Sequence, residues 1–496
     1  MADNIGRLLL STLLVEERKL AIGDLDNELN RASLLDAVKR QVNVLIGTGV
    51  GSDVFCIVLC DRGLSFWVEL LALWAIGAKP VCLEANVSAE HAASVLKMTE
   101  AEYIFCDGVA FPESFSDLYQ IDSVDLCKEH QTSAFESFHS IPFADANQMN
   151  DLAGLIFTSG TTGLPKAVPL THSALTVNAL ATAVRLNLES SDRLMIATPF
   201  RFISSISHFL VTLIVGGSFF GIEKTLMPKD LVTALTSLDI SAFGSSPFHL
   251  QFIAIAGEER LPKLRWAMSS GDHLRPAVIE QIHRNFSNLT LHTVYGMAEL
   301  GGRLCTLPPE YLSTKSGSVG FPIAGFELTV RSESGEICSV DEIGNIYISG
   351  TSGFSGYYKN SEENAKVLSE FGFENGDKGR LDSDGFLYLS GRSDSVFKRS
   401  GLKVSCQVIS DVMNELPEVA DCFVTSRECD IEGKIPIVYI KWEQQKLNRA
   451  DIIVTLRDRL PVNHIPSEFI SIEKIPRTGS GKIDRRAIKT IINSNI

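Results

Sequence analysis

No Cys-x-x-Cys pair occurs among the ten cysteines, Cys56, Cys60, Cys82, Cys106, Cys127, Cys305, Cys338, Cys406, Cys422 and Cys429. Scattered in this way they suit neither a zinc ribbon nor a disulfide framework, and reduced core cysteines are the expected state. Positive charge is also in short supply: 45 Lys and Arg face 60 Asp and Glu, a formal net charge of −15. That balance argues against a nucleic-acid or anionic-membrane surface as the main partner, so an anionic substrate needs a local site. The start of the chain, Met-Ala-Asp-Asn running through Leu8–Leu10 to Glu16, Glu17 and Arg18, lacks the basic segment and small-residue cleavage site of a secretory signal. A cytoplasmic location is expected. The longest apolar stretch, Ile203 to Ile222, is interrupted by His208, four serines and Gly216-Gly217. It reads as a buried helix–turn–strand segment and not as a membrane span. Internal repeats and low-complexity linkers are absent.

At 496 residues, with 45% hydrophobic and 21% charged positions, the chain is too long for one ordinary core and apolar enough to fold into two or more lobes. Short β-branched runs such as Phe55–Leu59, Leu155–Phe157 and Leu194–Ala197 alternate with helical patterns such as Phe66–Ile76 and Ser173–Leu188. This alternation predicts an α/β fold of stacked, mostly parallel sheets flanked by helices. After about Thr314, the runs Phe326–Val330, Gly344–Ser349 and Phe386–Leu389 with Gly-Asp turns predict a smaller, more antiparallel β region. From Val404 the pattern is helix, strand (Ala420–Thr425), strand (Ile435–Lys441), helix (Arg449–Leu460), strand (Glu468–Ile472), a compact α+β unit of about 100 residues.

The strongest local signal is Thr158-Ser159-Gly160-Thr161-Thr162-Gly163-Leu164-Pro165-Lys166, directly after the apolar run Gly154–Phe157. Hydroxyls and glycine backbone in a loop after a strand can surround an anion with N–H and O–H donors, and Lys166 adds a point charge. The bland alternative is a polar connecting turn; four hydroxyl residues, two glycines and a lysine favour a phosphate cradle. A Walker loop is absent, since Gly479-Ser480-Gly481-Lys482 has Pro476 in place of the first glycine and Ile483 after the lysine. Gly47-Thr48-Gly49-Val50-Gly51-Ser52 misplaces the third glycine of a dinucleotide fingerprint and reads as a helix-to-strand turn.

Taken with Tyr295-Gly296-Met297-Ala298-Glu299, Gly376-Asp377, Gly391-Arg392-Ser393-Asp394 and Pro476-Arg477-Thr478-Gly479-Ser480-Gly481-Lys482, the Thr158–Lys166 loop resembles the adenylate-forming superfamily of acyl-CoA synthetases, peptide-synthetase adenylation domains and beetle luciferases. The likeness runs from about Val44 to Arg486, with the five motifs in the family's order. It implies a large N-terminal domain, residues 1–393, and a small mobile α+β C-terminal domain, residues 394–496, that carries a catalytic lysine. It implies ATP, Mg²⁺ and either CoA or the phosphopantetheine of a carrier protein as cofactors. Thr158, Ser159, Gly160, Thr161, Thr162, Gly163 and Lys166 would hold the β- and γ-phosphates. Gly271 and Asp272, with Thr293, Val294, Tyr295, Gly296, Met297 and Ala298, would enclose adenine, Tyr295 stacking on the base. Glu299 would hold Mg²⁺, Asp377 would accept the ribose hydroxyls and Arg392 would sit beside them. Asp377 reads equally as a turn aspartate, and Glu299 as a solvated charge at a helix start. Lys482 would neutralise the attacking carboxylate and the α-phosphate, where the bland reading is a solvated lysine in a basic tail. Asp394 would be the hinge on which the small domain turns between half-reactions, and Gly401 and Lys398 would lie by the thiol tunnel.

Three positions depart from the family pattern: Ala298 and Asn375 replace threonines and Gln407 replaces a glutamate. The two lost hydroxyls lead us to expect a modest ATP affinity. The acyl pocket is expected from Phe202, Ile203, Ser204, Ser207, Ser269, Val294, Gly302 and Arg303. Relatives that activate α-amino acids place an aspartate where Ile203 falls, so an aryl or aliphatic acid suits this pocket better. Arg303 fits either a second carboxylate on the substrate or a neighbouring protein acid, the latter slightly favoured. CoA is expected ahead of a carrier protein as acceptor, and a monomer or homodimer is expected. A non-catalytic adenylate binder, a luciferase-type oxygenase and a nucleotide-dependent kinase are the competing classes.

Overall fold

The computed structural model describes residues 4–488 apart from 61, 85–86, 108–109, 127–132, 145–151, 159–165, 224–225, 272–273, 351–352, 393–394, 400–401, 430–432, 444–445, 458, 478–482 and 485–486, with backbone alone at 392, 396, 398, 402, 403 and 433. Two large sheets and one small one form the frame. The first runs in the order Tyr119–Ile121, Tyr103–Phe105, Phe55–Leu59, Lys79–Leu83, Leu152–Thr158, Lys166–Thr171 and is parallel up to its last hairpin. The second has a parallel run through Leu20–Gly23, Ser218–Gly221, Arg193–Ile196, Ala242–Ser245, Trp266–Ser270 and Thr290–Met297. These strands read as unbroken apolar runs because both faces are covered: Leu194, Met195, Ile196, Phe219 and Phe220 have no exposed surface.

The helix Leu64–Ile76 is buried along nearly its whole length, as its lack of a polar face requires. Trp67 stacks on Phe209 with ring centroids 4.4 Å apart, and Trp74 Nε1 donates to the Ala153 carbonyl at 2.8 Å, which ties this helix to the strand Leu152–Thr158. Its one buried acid, Glu69, is matched by Arg62 and Ser123.

The antiparallel region begins earlier than the sequence texture suggests. Gly301 (φ +69) and Gly302 (φ +135) turn the chain back after Leu300, so Gly302–Leu307 already pairs antiparallel with Thr290–Met297. The change falls there and not near Thr314 because two consecutive glycines with positive φ reverse the strand direction. The antiparallel course continues through Ser318–Pro322, Gly344–Ser349, Gly372–Leu381 and Leu387–Arg392.

Towards the C-terminus a five-stranded sheet carries the helices Cys406–Asn414 and Arg449–Arg457. Its apolar cluster, including Val404, Ile409, Met413, Val438, Ile440 and Leu456, is separate from those of the preceding sheets. The expected helix and strands are present, preceded by a short hairpin, Val396–Arg399 with Leu402–Ser405, that the sequence reading did not separate. Ser405 caps the helix, accepting from Val408 N–H at 3.3 Å. Among the described residues no helix is long and apolar enough to cross a membrane, and the nine described cysteines are free.

Candidate active site

The carboxyl ends of the parallel strands open on a cleft of about 2050 Å³, large enough for a nucleotide and a second small molecule together. Thr158 ends one strand, Gly271 follows another, and Tyr295–Met297 ends a third; all line this cleft. Lys166, Ala298, Glu299 and Asp377 join them on its wall.

These side chains are coupled. Lys166 Nζ donates to Glu363 Oε1 and stands 4.9 Å from the Tyr357 ring centroid, while the Tyr357 hydroxyl donates to Glu299 Oε1 at 2.9 Å. Cation, aromatic ring and carboxylate thus form one chain of contacts. The donation from Lys166 holds Glu363 below the usual carboxylate range. Across the cleft the Tyr295 hydroxyl donates to Asp377 Oδ2 and accepts from the Asn375 amide, whose carbonyl takes Asp377 N–H at 2.9 Å. Burial, with Asp377 alongside, pushes the Tyr295 phenol well above its ordinary value, so it stays protonated. Asn375, read from sequence as a lost hydroxyl, supplies both an acceptor and a donor to this group.

The part of the cleft wall expected to hold the acid, the acyl branch, has Phe202, Ile203, Ser204, Ser207, His208, Val294, Gly302 and Arg303 on it. Asn178, buried on the helix His172–Leu186, donates to the Leu300 and Arg303 carbonyls at 3.0 and 2.7 Å and fixes the turn that carries Arg303. Arg303 Nη1 donates to Ser207 Oγ, and its Nε is buried with no partner. Burial lowers the guanidinium to about 9, which leaves it cationic at neutral pH. His208 Nδ1 lies 2.6 Å from the Ser204 carbonyl, an acceptor, so Nδ1 carries the hydrogen and Nε2 is a bare lone pair with no partner. Burial and Arg303 hold this imidazole neutral.

Two expected wall residues are not on the lining. Ser269 lies between the lining residues Met268 and Ser270 on one strand, and Thr293 precedes the lining Val294; both hydroxyls are buried without partners and away from the cleft. Strand alternation turns Ser269 away from the face of Met268 and Ser270, whereas Thr293 shares the face of Tyr295 and lies earlier on its strand, short of the cleft lining. Ser159, Gly160, Thr161, Thr162, Gly163, Asp272, Asp394, Gly401 and Lys482 lie outside the described residues, as do the side chains of Arg392 and Lys398. Backbone pairing sets Arg392 opposite Asp377. Ile483, next after Lys482 in sequence, is on the cleft wall. Sequence reading missed Tyr357, Glu363, Asn178 and the role of His208. The only sequence signals were an asparagine within an otherwise apolar helical stripe and the Gly356-Tyr357-Tyr358 turn.

Residues 15–358 match the AMP-binding enzyme family and residues 409–482 match the AMP-binding enzyme C-terminal domain. The chain belongs to the AMP-binding enzyme family. A 2-succinylbenzoate–CoA ligase of Geobacillus sp. (strain WCH70) is 25% identical over 500 residues, which cover 100% of this chain and 99% of that protein. Surfactin synthase subunit 1 of Bacillus subtilis (strain 168) is 27% identical over 491 residues, 93% of this chain but 13% of that protein. Among solved structures, o-succinylbenzoate CoA synthetase (MenE) from Bacillus subtilis, in complex with the acyl-adenylate intermediate OSB-AMP, superposes with a TM-score of 0.83 at 22% identity, covering 97% of this chain and 98% of that one. It shares the fold.

Proposed function

We propose that this chain is an AMP-forming acid–thiol ligase that activates a carboxylic acid, aryl or aliphatic and not an α-amino acid, and transfers it to CoA. In the first step a carboxylate oxygen forms a bond to the α-phosphorus of ATP and the bond to pyrophosphate breaks, giving acyl-adenylate. In the second the thiol sulfur bonds the acyl carbon, AMP departs with the electron pair of the C–O bond, and the thiol proton passes to solvent. The observation that carries this reading is the convergence of Thr158, Lys166, Glu299, Tyr295 and Asp377 on a single cleft that Phe202, Ile203, Ser204 and Arg303 also line.

In this reading Thr158, Lys166 and the Ser159–Gly163 segment bind phosphates, Tyr295 and its neighbours bind adenine, and Asp377 with Arg392 binds ribose. The cleft fits the Mg²⁺ that accompanies ATP: Glu299 presents a hard carboxylate whose one hydrogen bond among the described residues comes from Tyr357. The ion would supply charge neutralisation between phosphates. Lys482 neutralises the reacting anions, Asp394 is the hinge between domains 1–393 and 394–496, and Lys398 with Gly401 borders the thiol path. The protein works in the cytoplasm. CoA is favoured over a carrier protein because the chain matches a CoA ligase along nearly its whole length and matches the multidomain synthase only as a segment.

The test is acid-dependent exchange of pyrophosphate into ATP, followed by thioester formation with CoA or with loaded carrier proteins. Lys482→Ala should cut exchange by roughly 100-fold or more while ATP binding stays measurable. Exchange at the wild-type rate in that variant removes Lys482 from the chemistry. A chain that binds ATP but exchanges no pyrophosphate with any acid is a non-catalytic binder.

A further inference from the structure

Five basic side chains other than histidine line the cleft among the described residues: Lys166, Arg201, Arg303, Lys366 and Arg380. Four have a protein carboxylate: Lys166 has Glu363, Arg201 has Glu84 at 3.2 Å, Lys366 has Glu362 at 2.9 Å, and Arg380 has Asp341. Arg303 has none, yet it is the most deeply buried of the five, with 4% of its surface exposed. Among the described residues its only side-chain partner is the neutral hydroxyl of Ser207. A cation taken out of water and left without an anion opposes folding strongly, and a chain keeps such a group when something outside the fold completes it.

The surroundings indicate what that something is. His208, the titratable group beside Arg303 in this branch, is neutral, with its hydrogen committed to the Ser204 carbonyl. Gly302 adds no side chain, and a Cβ there would meet Ser207 Oγ at 2.9 Å, so glycine leaves Ser207 undisturbed beside Arg303. The protein therefore offers, on the cleft wall, a buried cation whose one side-chain hydrogen bond among the described residues goes to the neutral Ser207 hydroxyl, beside an imidazole that supplies no counter-charge.

We infer that the acid this enzyme activates carries a second carboxylate, bound by Arg303 with Ser207 on the cleft wall, while the first carboxylate is presented to ATP. The inference rests on the acid-activating function proposed above and narrows its substrate to dicarboxylic acids. Arg303 is thus a specificity residue; it takes no part in bond making.

The experiment uses the full-length chain with straight-chain diacids from butanedioic to decanedioic acid and with aromatic diacids, each compared with its half-amide and with the monoacid of equal carbon number. Pyrophosphate exchange gives kcat/KM for each acid. At least one diacid should exceed its half-amide by roughly 100-fold, the scale expected when a buried charge is left without its partner. Arg303→Gln should erase that preference, lowering kcat/KM for the diacid by a similar factor while leaving the KM for ATP unchanged, and Arg303→Lys should restore part of it. Monoacids that match or exceed every diacid in the wild-type enzyme overturn the second-carboxylate assignment and leave the ligase activity standing. Exchange with no acid at all overturns both. The wild-type comparison decides the matter even where Arg303→Gln does not fold.

Discussion

Lys166, at the end of the hydroxyl-rich loop, forms an ion pair with Glu363, 197 residues further along the chain. Each is less than one-fifth exposed, so the pair is only partly screened by water. A triphosphate entering the cleft must draw Lys166 away from this carboxylate, and the two anions compete for one cation. Glu363→Gln keeps the shape and removes the competitor. The KM for ATP in pyrophosphate exchange is expected to fall about two- to five-fold, the equivalent of a partly exposed ion pair. A rise in KM would show that Glu363 assists the nucleotide instead of displacing it.

Asn375 bridges Tyr295 and Asp377, donating to the phenol oxygen and accepting from the Asp377 backbone. Asn375→Ala leaves a buried phenol and a carboxylate without the group that orients them. We expect a stability loss of about 1–2 kcal/mol, read by urea unfolding, since a buried hydrogen-bonding group loses its partner. If Asp377 binds ribose, the KM for ATP should rise roughly ten-fold in the same variant, the scale of a misplaced binding group. Asn375→Thr, which restores the hydroxyl expected from the family resemblance, should leave both quantities closer to wild type. Equal ATP affinity in all three proteins would separate Asp377 from nucleotide binding.

The strands and helices that carry the cleft were readable from sequence because they are long, apolar and periodic, as Phe55–Leu59 and Leu64–Ile76 show. The loop from Thr158 could be read as a phosphate cradle from its residue types, whereas Tyr295 and Asp377 were singled out only through the family resemblance. What sequence could not show is pairing at a distance. Nothing local in Glu363 points to Lys166, and nothing in Asn178 points to a turn 125 residues away. The protein acid expected for Arg303 is absent among the described residues, because neighbours in the fold and not in the chain decide which carboxylates face it. Ser269 falls outside the cleft lining for a simpler reason: alternation along a strand sends adjacent residues to opposite faces.

Burial holds three histidines, His172, His249 and His292, at about 4. In the unfolded chain each returns to about 6.5. Between these values the unfolded state binds protons that the folded state refuses, so acid favours unfolding. Their contribution is therefore unchanged above about pH 6.5, and stability falls as pH drops from there towards 4, by up to about 1.4 kcal/mol per pH unit for each histidine. Denaturant unfolding at about pH 7.5, 6 and 5 should show a steepening loss. His249→Gln should flatten that slope by about one histidine's share. A slope identical to wild type would mean that His249 is protonated in the folded state.

Gly302 precedes Arg303 in the chain and packs against Ser207, which accepts from the Arg303 guanidinium. Its φ is +135, and an added Cβ would sit 2.9 Å from Ser207 Oγ, 3.1 Å from Ser207 Cβ and 3.3 Å from Asn178 Oδ1. Gly302→Ala must therefore displace Ser207, which accepts from Arg303, and disturb the asparagine that fixes the turn. Strain and overpacking together should cost about 1–3 kcal/mol of stability. The KM for the acid should rise at least about ten-fold while the KM for ATP changes little, since a displaced Ser207 narrows only the acyl branch. Gly385 provides the control: its φ is +83 but nothing lies within 4 Å of its Cβ position. Gly385→Ala carries the backbone strain alone, so it should lower stability by about 1 kcal/mol and leave both KM values at wild type. A Gly302→Ala enzyme whose acid KM stays with that control would show that the branch beside Arg303 does not hold the acid.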